Sequence, residues 1–278
     1  MQSSQQMPSL ARQLVSDVRR HRGAVVALSG GVDSALVAAI AVKALGERAV
    51  AVTVAAETLA GRELDAARRV ARQVGIAHRV VVHSELDNPE FVANPRHRCY
   101  VCQGMRMDVL RRIAEEAAGR VVLDGTNASD PGPDRPGLAA IRERGVISPL
   151  LERGVDKATT RELARRLGLE VWDRPSNACL SSRIPHGQIV TLGKLPRSGR
   201  AEEVLHSHGF SVVRVRHDGE TARVEVGHGE LDRARSLWQT LAPQLMECGF
   251  AAVALDPEGY RCGGADRRER EAALAGEI

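Results

Sequence analysis

Aromatic side chains are scarce in this sequence: 3 Phe, 2 Trp and 2 Tyr among 278 residues. Proteins that hold single-stranded nucleic acid stack bases on aromatic platforms, so that class of partner is disfavoured. No apolar run approaches the length of a membrane span. The opening segment MQSSQQMPSLARQ lacks the apolar middle of a secretory signal, which sets the expectation of a cytoplasmic protein. Thiols stay reduced in that compartment, so the 5 cysteines are candidates for metal or catalytic roles rather than for a disulfide framework. A large charge of either sign is also missing. The formal net charge is +4, and arginine far outnumbers lysine, which suits anionic substrates as well as RNA. The apolar share of 43% and the length permit one or two domains with a substantial core.

What is present alternates. The valine-rich runs AVVALS, AVAVTV, HRVVVHS and RVVLDG are separated by stretches of helical spacing at 35–45, 64–75 and 105–118. Buried parallel strands read as continuous apolar runs, and crossover helices separate them. The pattern predicts an α/β fold, a doubly wound and mostly parallel sheet over residues 1–171, with ligands at the carboxyl ends of its strands. VISPLLERGVDKATTRELARRLGLE reads as a final short strand and helix of that domain. Residues 172–190, with two prolines and many small polar residues, read as an active-site loop or linker rather than a core element. Residues 191–262 then run helix, strand FSVVRVRH, turn, strand TARVEVG, helix, strand FAAVALD, the order of a smaller α+β domain. A charged tail at 263–278, with its densest charge near 265–272, is expected to be disordered. The sequence shows no internal repeat.

The first apolar run feeds into Ser29-Gly30-Gly31-Val32-Asp33-Ser34, and a helix follows at once. Glycines let the backbone approach an anion closely, and the free amides of a helix start point at phosphate oxygens. The serine hydroxyls add hydrogen bonds, and Asp33 is placed to cap the helix or orient Mg2+. There is no GK[ST], so this is not a Walker A loop, and no G-x-G-x-x-G of a dinucleotide site is present.

RHRCYVCQG sets Cys99 and Cys102 in a C-x-x-C near a helix start, and Cys179 lies in PSNACLSSRIPHG. A C-x-x-C fits a redox pair, half of a metal site, or an incidental pair of small residues. Thioredoxin-like flanks are missing. Zinc would take four ligands, which His97 and the three cysteines supply, whereas an iron–sulfur cluster on three thiolates would leave one iron open. VRVRH alternates along a strand, so Arg214 and Arg216 share a face; they form either a bidentate anion site or a solvated basic face.

SGGVDS resembles the signature of the PP-loop ATP pyrophosphatases, which include GMP synthetase, asparagine synthetase and tRNA thiolation enzymes. The resemblance implies that the loop holds the pyrophosphate of ATP while a substrate oxygen attacks the α-phosphorus. RPSNACLSSRIPHG, AEEVL, VVRVRHDGETARVEV and LDPEGYR together resemble the LarE family of ATP-dependent sulfur transferases, and DGTNASD at 124–130 resembles that family's segment near the nucleotide. The likeness runs from about residue 10 to 261.

It implies adenylation of a carboxylate of a pyridinium-3,5-biscarboxylic acid mononucleotide and its conversion to a thiocarboxylate, for nickel-pincer nucleotide biosynthesis. Ser29, Gly30, Gly31, Asp33, Ser34, Gly125, Thr126 and Asn127 would bind ATP and Mg2+. Arg183, Arg214, Arg216 and Arg261 would bind the substrate phosphate, and Cys179, Glu202 and Asp232 would be catalytic. One branch of the family gives up the sulfur of the residue matching Cys179. A second has an added C-x-x-C and holds a [4Fe-4S] cluster on three cysteines, here Cys99, Cys102 and Cys179. Both elements are present, which points to the cluster branch. Cys248 and Cys262 have no assigned role, and Cys262 itself departs from the family pattern. The family's assemblies make a homo-oligomer the expectation. Sulfur transfer to another small metabolite, tRNA thiolation, an ammonia-using amidating synthetase and a non-catalytic nucleotide-binding regulator remain the alternatives. An amidating enzyme would need none of the three cysteines.

Overall fold

The computed structural model describes residues 8–130, 136–175 and 177–261. The backbone clusters into two compact units. One takes the residues up to Ala56, Gly61–His83 and His97–Asn177; the other takes Glu57–Ala60, Ser84–Arg96 and the chain from Ala178 onward.

The first unit is a four-stranded parallel sheet of order β3-β2-β1-β4, formed by β1 (Ala24–Ala27), β2 (Ala49–Ala55), β3 (Ala77–Val82) and β4 (Val121–Leu123). Its helices are α1 (Ser9–Val18), α2 (Val32–Leu45), α3 (Gly61–Val74), α5 (Arg98–Glu116), α6 (Pro136–Glu143), α7 (Pro149–Glu152) and α8 (Lys157–Arg166); α4 (Pro89–Val92) belongs to the second unit. Alternate strand residues face opposite ways, and two cores result. Ala24 and Val26 pack with α1, α2 and α8 on one face, while Val25, Val52 and Val54 pack with α5 and α6 on the other. This is the doubly wound α/β sheet expected from the apolar runs. VISPLL contributes a single parallel bridge, Leu123 to Ile147, before α7 rather than a full strand.

The sheet grows from β1 through β2 to β3 in one direction, while β4 lies on the other side of β1. The connections after β1 and β4 therefore part at a switch point, where open α/β sheets bind ligands. SGGVDS follows β1, and Asp124-Gly125-Thr126-Asn127 follows β4.

In the second unit α9 (Lys194–Ser207), β5 (Val213–Asp218), β6 (Thr221–Val226), α10 (Leu231–Glu247) and β7 (Ala252–Leu255) give a three-stranded sheet of order β5-β6-β7. β5 and β6 form an antiparallel hairpin, and β7 joins β6 in parallel. Its core includes Leu205, Phe210, Val215, Val224, Leu241 and Leu245. The segment after Ala178 is packed rather than solvated: Leu180, Ser181, Arg183 and Ile184 are buried, and Leu180–Arg183 is a 3-10 turn.

Candidate active site

In the first unit, Gly30 has a φ of +80°, and a Cβ there would lie 2.6 Å from the Ala67 amide nitrogen and 2.8 Å from the Glu63 carbonyl oxygen. The loop thus crosses the first turns of α3 at a distance only glycine permits. Gly31 is the N-cap of α2 and supplies no side-chain cap. The first amides of a helix have no acceptor within it, and together with the helix dipole they form an anion site. Ser34 Oγ donates to the Gly31 carbonyl at 3.1 Å, accepts the Ser29 amide at 3.2 Å and lies 3.0 Å from Ser29 Oγ, so both serines brace the loop internally.

Asp33 does not cap the helix. Its carboxylate accepts Lys157 Nζ at 2.5 Å and Asn127 Nδ2 at 3.1 Å. Gly125 lies against the same first turn, where a Cβ would meet the Ser34 nitrogen at 2.7 Å. Asp124 accepts hydrogen bonds from Thr126 Oγ1 and Ser148 Oγ, and burial pushes its carboxyl pKa above the ordinary carboxylate value. Asn127 Oδ1 accepts the Ser129 amide, tightening the turn. The four residues from 124 to 127 therefore hold Gly125 and Asn127 against the head of α2.

Sequence reasoning missed four residues here, Lys157, Arg174, Glu63 and Asn177. Lys157 follows Asp156, the N-cap of α8 that accepts the Thr159 amide at 2.7 Å. A cap followed by a lysine was a visible signal, but nothing local tied it to Asp33. Arg174 donates to the Gly30 carbonyl at 3.0 Å and to Glu63 Oε1 at 2.8 Å, and Asn177 Nδ2 donates to the same oxygen at 3.0 Å. Arg174 and Glu63 thus fix the peptide plane within the loop, a contact spanning more than a hundred residues. Cys99 and Cys102 lie one helical turn apart in the first turns of α5; Cys99 is exposed, Cys102 buried, and His97 is the N-cap residue. Among the described residues, no group of three or more His, Cys, Asp or Glu stands within reach of one metal ion.

In the second unit, Cys179 immediately precedes the 3-10 turn and is half-buried, its Sγ 3.0 Å from Ser181 Oγ. Arg183 is wholly buried. It pairs with Glu202 of α9 in a two-pronged contact, Nε to Oε1 at 2.7 Å and Nη2 to Oε2 at 2.8 Å, while Nη1 donates to the carbonyls of Ala178 and Cys179. Glu202 Oε1 also accepts the Val215 amide of β5 at 3.0 Å. The carboxylate thereby holds Arg183 against the backbone that carries Cys179.

Arg214 and Arg216 are buried, not a solvated face. Arg216 pairs with Glu225 at 2.6 Å and donates to the carbonyls of Ser182 and Arg261. Arg214 lies over the Tyr260 ring, 4.9 Å from its centroid. Burial, and then the positive charge of Arg183, push its pKa down, with Glu202 acting against them. Arg261 is exposed and paired with Glu258. Asp232 is exposed in the first turn of α10 and paired with Arg235. Cys248 is buried and its thiol pKa is raised by that burial. Cys262 and the 263–278 tail lie outside the described residues.

Comparison with known proteins bears on the residues of both units. Residues 8–129 match the asparagine synthase family model. An uncharacterized protein of Synechocystis sp. is 41% identical over 247 residues, 88% of this chain and 92% of that protein. The pyridinium-3,5-bisthiocarboxylic acid mononucleotide synthase of Lactiplantibacillus plantarum is 32% identical over 263 residues, 94% of this chain and 95% of its own length. The chain belongs to the LarE family. As a LarE-family protein it is an ATP-using enzyme of the adenylating kind. The solved structure of NMN synthetase from Francisella tularensis matches with a TM-score of 0.50 at 20% identity, over 60% of this chain and 74% of that one, and it shares the fold. No described helix is long and apolar enough to cross a membrane.

Proposed function

We propose that this LarE-family enzyme adenylates a carboxylate of a pyridinium-3,5-biscarboxylic acid mononucleotide and replaces a carboxylate oxygen with sulfur. The observation that carries the reading is the SGGVDS loop at the sheet's switch point, with uncapped amides at the head of α2, in a chain related end to end to a synthase of the thiocarboxylate product. In the first step a substrate carboxylate oxygen attacks the α-phosphorus of ATP, and the bond from that phosphorus to the pyrophosphate oxygen breaks. The loop amides take the charge that develops on the leaving pyrophosphate. Asp33, the acidic side chain of the first turn, suits Mg2+, which takes one or two carboxylates plus phosphate oxygens. Lys157 supplies positive charge in the same corner.

In the second step sulfur attacks the carbonyl carbon of the acyl adenylate, and AMP leaves with the electron pair of the broken carbon–oxygen bond. Arg214, Arg216 and Arg261 are proposed to take the substrate phosphate, a reading supported by the two guanidiniums that β5 carries at alternate positions. Glu202 acts through the Arg183 it holds, and Asp232 is the exposed carboxylate proposed for proton transfer.

For the sulfur source, Cys99, Cys102 and Cys179 are proposed to hold a [4Fe-4S] cluster, which would supply a sulfide on its open iron. The i,i+3 thiols of α5 suit soft thiolate ligation. A homo-oligomer is part of the proposal, as is a small-molecule rather than a nucleic-acid substrate.

ATP–pyrophosphate exchange stimulated by the biscarboxylate nucleotide tests the first half; no exchange with it overturns the assignment. Anaerobic iron and sulfide analysis tests the second, with about four of each per chain expected. Stoichiometric zinc without iron or sulfide would leave Cys179 itself as the sulfur source.

A further inference from the structure

We infer that Thr58 and Glu85 are positioning residues that set the Cys179 peptide. The inference rests on the reading of Cys179 as the thiol that carries or anchors the transferred sulfur. All the groups involved lie in the second unit, although two of its segments come from the first third of the chain.

The peptide unit between Cys179 and Leu180 is held from both sides. Its carbonyl accepts the Ser182 amide at 3.0 Å, Ser182 Oγ at 2.8 Å and Arg183 Nη1 at 3.1 Å. Its N–H, on Leu180, donates to the Thr58 carbonyl at 2.9 Å. Thr58 in turn is fastened from behind. Its hydroxyl donates to Glu85 Oε2 at 2.5 Å, and the Glu85 amide donates to Glu57 Oε2 at 3.1 Å, so residues 57–58 and 85 close on each other through two hydrogen bonds. Thr58 and Glu85 are both wholly buried.

A carboxylate is costly to bury, and an isolated one would sooner be replaced than kept. Here it fixes a hydroxyl whose own carbonyl holds the reactive segment. The far end of that segment is fixed in the same manner. Buried Asn94, at a φ of 57°, donates from Nδ2 to the carbonyls of Pro185 at 2.7 Å and Gln188 at 2.9 Å. The backbone from Leu180 to Gln188 is therefore strung between two pieces of earlier chain, and Thr58–Glu85 is the anchor next to the thiol.

The test compares Thr58→Val, Thr58→Ser and Glu85→Gln in the full chain. Three readouts are needed: peptide-resolved alkylation of Cys179, ATP–pyrophosphate exchange, and sulfur transfer resolved into kcat and KM. Thr58→Val should speed Cys179 alkylation about fivefold or more. It should also lower the kcat of sulfur transfer on the order of tenfold to a hundredfold with the KM for ATP unchanged, because small misplacements of a reacting group cost that much. Thr58→Ser should restore both. Glu85→Gln should fall between them, since the amide oxygen still accepts the hydroxyl. The proposal is overturned if Thr58→Val leaves alkylation and kcat at wild-type values, or if Thr58→Ser is no better than Thr58→Val. If Thr58→Val does not fold, Glu85→Gln decides alone: wild-type alkylation and kcat in that protein would overturn it. A wild-type enzyme with no sulfur transfer, in which alkylation still responds to Thr58→Val, would sink the functional reading and leave the positioning intact.

Discussion

A methyl group at Gly30 would sit 2.6 Å from one backbone atom of α3 and 2.8 Å from another, and the φ of +80° disfavours any L side chain there. Gly30→Ala should therefore cost about 2 kcal/mol or more in urea unfolding, and it should weaken ATP binding by displacing the loop from α3. In the second unit the corresponding sensitivity is electrostatic. Arg183 is 0% exposed and its partner Glu202 5%, so Glu202→Ala would leave the buried guanidinium without the carboxylate that grips two of its nitrogens. That change should cost about 3–5 kcal/mol in guanidinium chloride unfolding, the usual result of breaking a buried pair from one side. Asp232→Ala serves as the contrast. Its carboxylate is exposed, so the unfolding midpoint should stay where it is; a large fall in turnover at unchanged stability would then report chemistry. Of these residues, the glycines were legible in the sequence because a motif names them. The burial of Arg183 was not, because an arginine among serines and prolines reads as solvated until its partner, nineteen residues on, is seen.

At the scale of elements, β2 and β3 prop up the SGGVDS loop from beneath. Thr53 donates its hydroxyl to the Leu28 carbonyl at 2.6 Å and so accepts from His78 Nε2 at 2.8 Å. Burial, followed by the charge of Arg68, puts the His78 pKa below its ordinary 6.5. The unfolded chain consequently takes up that proton more readily than the folded one. The contribution to stability is complete above pH 6.5 and is lost as pH falls below it toward the folded value. Unfolding midpoints measured from pH 8 to pH 5 should decline through this window, and His78→Gln, which keeps a donor toward Thr53, should flatten the decline. Strands were the more readable elements because parallel strands buried on both faces are unbroken apolar runs. Helix boundaries were less so: α5 begins at Arg98 and takes in the whole C-x-x-C. The periodic signal starts only near Met105, since tertiary packing rather than propensity sets its first two turns.

At the scale of the molecule, the order of strands and helices predicted an α/β sheet followed by an α+β unit, and both are present. The membership of residues 57–60 and 84–96 in the second unit was hidden, because hydrogen bonds such as Leu180 to Thr58 leave no local pattern. A fragment spanning 178–278 retains α9, α10 and the three-stranded sheet, but lacks Thr58, Glu85 and Asn94. It should fold to a cooperative unit whose Ile184–Gln188 amides exchange with solvent far faster than they do in the full chain, as hydrogen exchange would show.

The interleaving also governs how the enzyme is made. During synthesis the segments around Thr58 and Asn94 leave the ribosome roughly a hundred residues before the turn they hold, and the hydrogen bonds they make to that turn wait until it arrives. The order of emergence therefore places the clasp around Cys179 among the last events of folding. A nascent chain arrested near residue 175 would carry a complete parallel sheet with two loose loops.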